Sequence, residues 1–280
     1  MTSLPSGEIL RCVRDLPALP AVVMELMQSL EDHRINADQL AVKISHDQAL
    51  AAKTLRLANS SFYGMSRRVT SISEATAILG LRTLRNVAMA AGLAGSFSGL
   101  SCRGFDFEAF WRHAIGTALC AQALAQAVQL DEDEAFTLGL LHDVGRLVMV
   151  SGHAERYAKV LDCQREQDCL MYVAERSIFG TDHAAVGSLV AEHWHFNPMI
   201  VAAIAGHHEV PQATAKCLTD IVHVADNMAH ALDLSHLEND MVPPLVMSAW
   251  ARLALTEGLC TQVFLTVESQ HEHVCTALLG

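Results

Sequence analysis

The sequence predicts a nearly all-α protein. Apolar residues recur at helical spacing along almost the whole chain, and no extended run alternates apolar and polar residues as a half-buried strand would. Aromatic residues, which strands favour, make up only 5% of the chain. With 280 residues, 51% of them hydrophobic, the chain can bury a sizeable core or two smaller ones that share an interface. We therefore expect one compact body with two lobes.

The first helices follow clear turn signals. Pro17 and Pro20 bracket a turn, and the apolar stripe after them predicts a helix over residues 22–30. A second helix is expected over residues 37–44 and a third over residues 47–58, where Asn59, Ser60 and Gly64 then break the pattern.

A connection near residue 100 divides the chain. Ser71 and Glu74 have the spacing of a capping box, which predicts the start of a fourth helix, and Gly80 separates that helix from a fifth over residues 81–94. Residues 95–104 contain three glycines and three serines, a composition typical of a connection. The sequence thus predicts an N-terminal helical lobe over residues 1–100 and a second lobe over residues 101–280.

The second lobe is predicted to be helical throughout. Its helices are expected over residues 106–128, 132–150, 154–167, 182–193, 198–208 and 219–232. Asn197 and Pro198 have the chemistry of a helix start, with a capping side chain followed by proline at the first helical position. The remaining residues, 235–280, show helical spacing and no chemistry typical of a site.

Charge and cysteine content narrow the classes of partner. The chain has 19 basic and 31 acidic residues, a net charge of -12, so its overall field repels nucleic acid and anionic lipid. The eight cysteines include no CxxC pair, and the N-terminus lacks the apolar run of a signal peptide. The uncharged stretches 86–102 and 114–130 are too short and too polar to cross a bilayer. We expect a cytoplasmic protein, with no membrane and no nucleic acid as main partner.

One dipeptide requires a cation nearby. His142-Asp143 lies in what the pattern predicts to be an apolar helix, where an ionised carboxylate without a partner costs several kcal/mol. Arg146, three residues on, could pair with Asp143. A metal ion would satisfy the carboxylate more fully, and imidazole and carboxylate ligands suit iron, manganese, zinc or nickel.

Several motifs together carry a family resemblance. They are Leu16-Pro17-Ala18-Leu19-Pro20, the run Ile44 to Gly64 with Asn59-Ser60, Leu79-Gly80-Leu81-Arg82, Trp111-Arg112-His113, Leu140 to Gly145, and Gly206-His207-His208. In this order and spacing they resemble the HDOD domain over roughly residues 10–230. The HDOD family is the signalling branch of the HD metal-dependent phosphohydrolase superfamily. The resemblance implies a helical first half followed by an HD-like second half.

The resemblance also implies a set of metal ligands. Four residues would surround one ion: His113, His142, Asp143 and Asp226. A second ion would lie among His183, His207 and His208, with Asp143 bridging the two. The helix that carries Asp226 also contains His223, Asn227 and His230, and the family pattern alone selects Asp226. One or two divalent transition-metal ions are therefore expected.

Departures from the related HD-GYP phosphodiesterases bear on function. After His208 this chain reads Glu209-Val210-Pro211-Gln212 and lacks the Gly-Tyr-Pro segment, and Arg146 stands where that branch has lysine. Hydrolysis of cyclic di-GMP therefore does not follow.

The first hypothesis is a signal-transduction or regulatory protein with an HD-type metal centre. It would act on signalling protein partners or respond to a phosphorylated small molecule or nucleotide, and association with further copies of the chain is left open. The alternative is a metal-dependent phosphohydrolase acting on a nucleotide phosphoester, with His142 and Asp143 as catalytic residues. A third hypothesis, DNA binding through residues 71–93, arises from the basic cluster of Arg67, Arg68, Arg82 and Arg85, and the net charge argues against it.

Overall fold

The protein is built from helices and the segments that connect them. The computed structural model describes residues 6–16, 19, 21–28, 37–238 and 240–280, and none of these lies in a strand. The helices of this part of the chain are α1 (Ser6–Arg14), α2 (Ala21–Gln28), α3 (Ala37–Ser45), α4 (Gln48–Ala58), α5 (Ile72–Ser96), α6 (Phe107–Val128), α7 (Glu132–Leu141), α8 (Val144–Gln167), α9 (Met171–Phe179), α10 (His183–His193), α11 (Pro198–Gly206), α12 (Leu218–Ala231), α13 (Met247–Leu253) and α14 (Glu257–Leu279). The all-α prediction is confirmed.

Local capping chemistry sets several helix starts. The Asp47 carboxylate accepts hydrogen bonds from the first-turn amides of α4, and the Ser71 hydroxyl accepts one from the Glu74 amide at the start of α5. Asn197 likewise caps α11, with Pro198 at its first position, as predicted. The predicted turn at Pro17 and Pro20 falls on residues outside those described.

Gly80 makes two helices out of α5 without a loop between them. Its φ of 76° is a left-handed value that favours glycine, and the helical path changes direction there. The separation predicted at Gly80 is confirmed, and the second segment packs its buried face against α7.

The second half of the chain is organised around α6. This helix is buried along most of its length and contacts α7, α12 and α14. On the other side, α8 packs against α9 and α10, and α10 packs against α11. The C-terminal helix α14 also contacts α4 and α5, so it joins the first helices to the core of the second half. The predicted boundary near residue 100 falls between α5 and α6 and stays a prediction.

The predicted helix over residues 132–150 was wrong. Helix α7 ends at Leu141, two turn residues follow, and α8 begins at Val144 and continues to Gln167 with only a kink at His153. His142-Asp143 therefore lies at a junction between helices and not inside one. The junction brings Gly145 against α10, where a Cβ atom on Gly145 would lie 2.1 Å from the backbone oxygen of His183.

Two helices, α1 and α9, were not predicted. Each has nine residues, the same length as α3 and α11, which were predicted. The start of α9 also has no capping side chain, because Leu170 stands there. The omission of α9 matters because this helix carries Glu175, a residue of the site described below.

The basic cluster of α5 is paired with acidic residues. Arg85, whose side chain is 4% exposed, donates to Asp133 at 2.7 Å, and Arg82 pairs with Glu132, both acids lying in the first turn of α7. Arg67 pairs with Glu74 at 2.5 Å. The first two pairs link α5 to α7, and the three pairs together engage three of the four arginines that suggested DNA binding.

No described helix has both the length and the apolar character that crossing a membrane requires.

Candidate metal centre

The fold brings the seven residues of the expected ligand set together from five places along the chain. His113 lies on α6, His142 and Asp143 at the junction of α7 and α8, His183 at the first position of α10, His207 and His208 just after α11, and Asp226 on α12. All are buried except His208, which is partly so. Their role as ligands remains a prediction, and their convergence is a structural fact.

One half of the cluster surrounds Asp226. Its Oδ1 atom lies 3.0 Å from His113 Nε2 and 3.5 Å from His142 Nε2. The two imidazole nitrogens are themselves 3.3 Å apart, and His142 Nε2 lies 3.6 Å from Asp143 Oδ1. Four donor atoms thus face one small volume.

The other half surrounds Asp143. Its Oδ1 atom lies 3.0 Å from His183 Nε2 and 3.9 Å from His207 Nε2. His183 Nε2 is 2.8 Å from His208 Nε2. The donor atoms of these four residues all lie within 4.8 Å of one another. Asp143 is common to both halves, as a bridging carboxylate would be.

The outer ring nitrogens of three histidines are held by acceptors. His142 Nδ1 lies 2.7 Å from the carbonyl oxygen of Gly139, and His207 Nδ1 lies 2.7 Å from that of Ile204. His183 Nδ1 lies 2.6 Å from a Glu175 carboxylate oxygen. An acceptor at Nδ1 places a proton there, so in the neutral ring the Nε2 lone pair faces the centre, which is the usual arrangement of histidine ligands.

Arg146 also contacts Asp143, so the Asp143 carboxylate can pair with this arginine and bind a metal ion at the same time. Arg146 Nη1 donates to Asp143 Oδ2 at 3.0 Å, while Oδ1 of the same carboxylate faces the imidazoles. Arg146 Nε also donates to the Tyr157 hydroxyl at 3.2 Å, and that hydroxyl donates to Glu175 at 2.7 Å. The arginine therefore occupies one oxygen and leaves the other available to the centre.

The pKa shifts of the histidines in the cluster differ in direction. Burial, and after it the neighbouring His142 and His183, lower the pKa of His207 to about 4, so this ring is neutral at pH 7. Burial also disfavours a charged His183, but the carboxylates of Glu175 and Asp143 outweigh it and raise the pKa of His183 to about 10. A metal ion would therefore find His207 ready to bind and would displace a proton from His183.

The donor set fits a divalent metal ion. His207 Nε2 and Asp226 Oδ2 are buried and have no hydrogen-bond partner among the described residues. Imidazole nitrogens of different residues face each other at short distances, which requires a shared proton or a shared cation. Nitrogen and carboxylate donors together suit iron, manganese, zinc or nickel.

Of the three polar neighbours of Asp226 on its helix, the structure directs only His230 to the centre. His230 Nε2 lies 3.3 Å from Asp226 Oδ1, one helical turn away. His223 instead contacts the backbone, with Nδ1 2.7 Å from the His207 oxygen and Nε2 accepting from the Val246 amide. Asn227 donates to the His223 carbonyl oxygen. The spacing from Asp226 could have singled out His230 in the sequence.

Two adjoining cavities lead to the cluster. The inner one has a volume of about 60 Å³ and is lined by Asp143, His183, His208 and Asp226 together with Tyr172. The outer one has about 370 Å³, and its lining includes His113, Arg146, Gln164 and Arg165. Arg146 and His230 line both cavities.

Similar solved structures share this all-α fold. The structure of an HDOD domain protein of unknown function from Geobacter sulfurreducens matches with a TM-score of 0.78 and 24% identity over 98% of both chains. That of a candidate phosphohydrolase from Shewanella amazonensis SB2B matches with a TM-score of 0.74 and 26% identity, again over 98% of both chains.

The sequence gives the same result and specifies the family. The chain matches the HDOD domain over residues 16–210, and it belongs to the HDOD domain family. It is 30% identical over 203 residues to an uncharacterized protein of Treponema pallidum (strain Nichols), covering 72% of this chain and 39% of that protein. The chain thus spans about two fifths of that curated relative. Asp226 and His230 lie beyond residues 16–210, the part of the chain that matches the HDOD domain.

Proposed function

We propose that this protein is an HDOD-type signal-transduction or regulatory protein whose centre holds one or two divalent transition-metal ions, of iron, manganese, zinc or nickel. The seven expected residues would hold them: His113, His142, Asp143 and Asp226 on one side, and His183, His207 and His208, with Asp143 between, on the other. The convergence of these donors in a buried cluster supports the proposal.

The observation that favours regulation over catalysis is the size of the inner cavity. At about 60 Å³ it has room for a few water molecules, whereas small-molecule sites occupy about 300–1,000 Å³. Leu237, Met241 and Pro243, from the segment between α12 and α13, line it as well. Bound ions would then mainly hold these five parts of the chain in one arrangement, which signalling protein partners or a phosphorylated small molecule could recognise or alter.

A second candidate function is favoured by the outer cavity. Its volume of about 370 Å³ is sufficient for a nucleotide phosphoester, and Arg146 and Arg165 supply cationic lining beside His113. In that case the protein would be a metal-dependent phosphohydrolase, with His142 and Asp143 at the reacting centre. A bound ion would supply an activated water and charge neutralisation.

The first experiment measures metal in the purified chain. Protein prepared without chelator should contain between one and two transition-metal ions per chain by elemental analysis, and Asp143→Ala should lose them and melt at lower temperature. His193→Ala, on the exposed side of α10, is the matched control and should keep its metal. Wild-type protein that contains none and takes up no iron, manganese, zinc or nickel would refute the proposal.

The second experiment separates the two functions. A screen of phosphoesters that includes cyclic di-GMP should show no substantial turnover with the metal-loaded wild-type protein. Metal-dependent turnover of roughly 1–1,000 per second, abolished by His142→Ala, would establish the hydrolase instead.

A further inference from the structure

His230 is placed as a ligand would be, although the family pattern does not select it. Its Nε2 atom lies 3.3 Å from Asp226 Oδ1, and its ring centroid lies 4.4 Å from that of His113. Donor atoms of these three residues fall within 4.8 Å of one another. The side chain is 16% exposed, so it belongs to the buried cluster and not to the surface of α12.

A carboxylate lies next to the second ring nitrogen of His230. His230 Nδ1 lies 2.8 Å from Asp240 Oδ1, an ion-pair distance without hydrogen-bond geometry. His183 has a carboxylate in the same place, and there Nδ1 and Glu175 form a hydrogen bond of 2.6 Å while Nε2 faces Asp143. In both places a carboxylate lies behind the ring, and the other nitrogen faces an aspartate of the centre. Carboxylate–histidine pairs of this kind fix the tautomer and orientation of metal ligands.

Asp240 is itself fixed in position. Ser235 Oγ donates to Asp240 Oδ2 at 3.0 Å, and the Leu237 amide donates to Ser235 Oγ at 3.1 Å. These residues belong to the segment between α12 and α13. The carboxylate that orients His230 thus comes from outside the helices that supply the other members of the cluster.

We propose that His230 is an eighth protein ligand, joining His113 and Asp226 at one metal ion, with Asp240 as its positioning residue. The inference rests on the proposed metal centre. It would add a donor to those expected around that ion, which are His113, His142, Asp143 and Asp226. A further protein donor would leave less of the ion open to water or substrate, which agrees with a regulatory centre better than with a hydrolytic one.

The competing explanation is an ion pair. A protonated His230 between Asp226 and Asp240 would satisfy both carboxylates without any metal, and it would have no effect on the ligand field of a bound ion. The two explanations differ in what a spectroscopic metal probe reports.

The experiment uses Co²⁺ as the probe on the full chain. Metal-free protein is titrated with Co²⁺, and affinity, ions per chain and the visible absorption bands are recorded for the wild-type protein, His230→Ala, Asp240→Asn and the control Asp233→Asn. Asp233 is exposed in the same connection, at a φ of 52° that asparagine tolerates, and Asp233→Asn makes the same change of charge.

We expect His230→Ala to bind at least one ion more than 10-fold more weakly and to shift the Co²⁺ bands. Asp240→Asn should weaken the binding of that ion about 10- to 100-fold and shift the Co²⁺ bands less than His230→Ala does, because it disturbs only the orientation of the His230 ring. Asp233→Asn should match the wild-type protein.

Wild-type affinity and spectrum in both His230→Ala and Asp240→Asn would overturn the inference and leave the metal centre standing. Should His230→Ala fail to fold, as judged by circular dichroism, Asp240→Asn decides, since unchanged Co²⁺ affinity and bands there would also overturn it. A wild-type protein that binds no Co²⁺ or other transition metal would instead refute the proposed function itself.

Discussion

Replacing Gly145 with alanine tests whether the close approach of α8 and α10 builds the centre. A Cβ atom at Gly145 would lie 2.1 Å from the His183 oxygen and 2.7 Å from the Gly187 amide nitrogen. Both neighbours are backbone atoms, so no side chain can rotate away. To restore an ordinary contact near 3.4 Å, the two helices must separate locally by about 1 Å.

The structure gives the size of the expected effect. Overpacking costs typically about 1–3 kcal/mol, and a backbone clash places Gly145→Ala near the upper end, at about 3 kcal/mol of unfolding free energy. At about 2–4 °C per kcal/mol for larger domains, the melting temperature should fall by about 6–12 °C. The same shift would move His183 Nε2 from its position 3.0 Å from Asp143 Oδ1, so metal affinity should fall by more than about 10-fold.

The assay is thermal unfolding by circular dichroism together with metal titration of the metal-free chain. Gly258→Ala is the matched control, because its Cβ would meet nothing within 4 Å on the exposed side of α14. That variant should be unchanged or stabilised by up to about 1 kcal/mol, since alanine favours helix over glycine. A Gly145→Ala protein with the wild-type melting temperature and metal affinity would show that the backbone contact does not hold the centre together.

Three further outcomes are expected. Glu175→Gln should weaken metal binding about 10- to 100-fold in a competition titration, because a neutral glutamine replaces the carboxylate that orients His183 through Nδ1. An unchanged affinity would exclude this orienting role of Glu175. Between about pH 7 and 9, metal affinity should rise by about 10-fold per pH unit through His183 alone, because the ion displaces a proton from that ring. Burial disfavours the charged ring, but the carboxylates of Glu175 and Asp143 raise the pKa of His183 to about 10. Calorimetry of metal binding in buffers of different ionisation enthalpy measures the proton release, and its absence would contradict the assignment. In the metal-free protein the same proton stabilises the fold. This stabilisation is fully present below the ordinary histidine pKa and is lost as pH rises through about 10. Arg85→Ala should lower the free energy of unfolding in urea by about 1–3 kcal/mol, because it leaves the partly buried Asp133 with a weaker partner. Arg67→Ala, at a side chain that is 74% exposed, should change it by less than about 0.5 kcal/mol, and equal effects would argue against the α5–α7 pairing.

Features that depend on local chemistry could be predicted from the sequence. The caps at Ser71 and Asn197 and the break at Gly80 are set by residues within one helical turn, and the structure has all three. The HDOD resemblance rested on several motifs in order, and the family match confirms it. That family pattern also named the seven residues that converge, a convergence that spacing alone did not establish.

Features that depend on distant parts of the chain could not be predicted. Helix α7 ends at Leu141, just before α8 begins its packing on α10, and no local signal in the sequence reports that contact. Glu175 reaches His183 from α9, a helix whose start has no capping side chain. Asp240 meets His230 only because the connection after α12 folds back over that helix. Each of these contacts is set by tertiary packing.

Helix α7 has a mechanical consequence that its sequence does not suggest. Its first turn is tied to α5 through Arg85 and Asp133 and to the start of α11 through Glu134 and Asn197, and its last residue precedes His142. Ten residues of helix span about 15 Å and transmit displacement as a rigid rod, because each turn is hydrogen-bonded to the next. A partner that displaced α5 would therefore act on α7 at the end opposite His142.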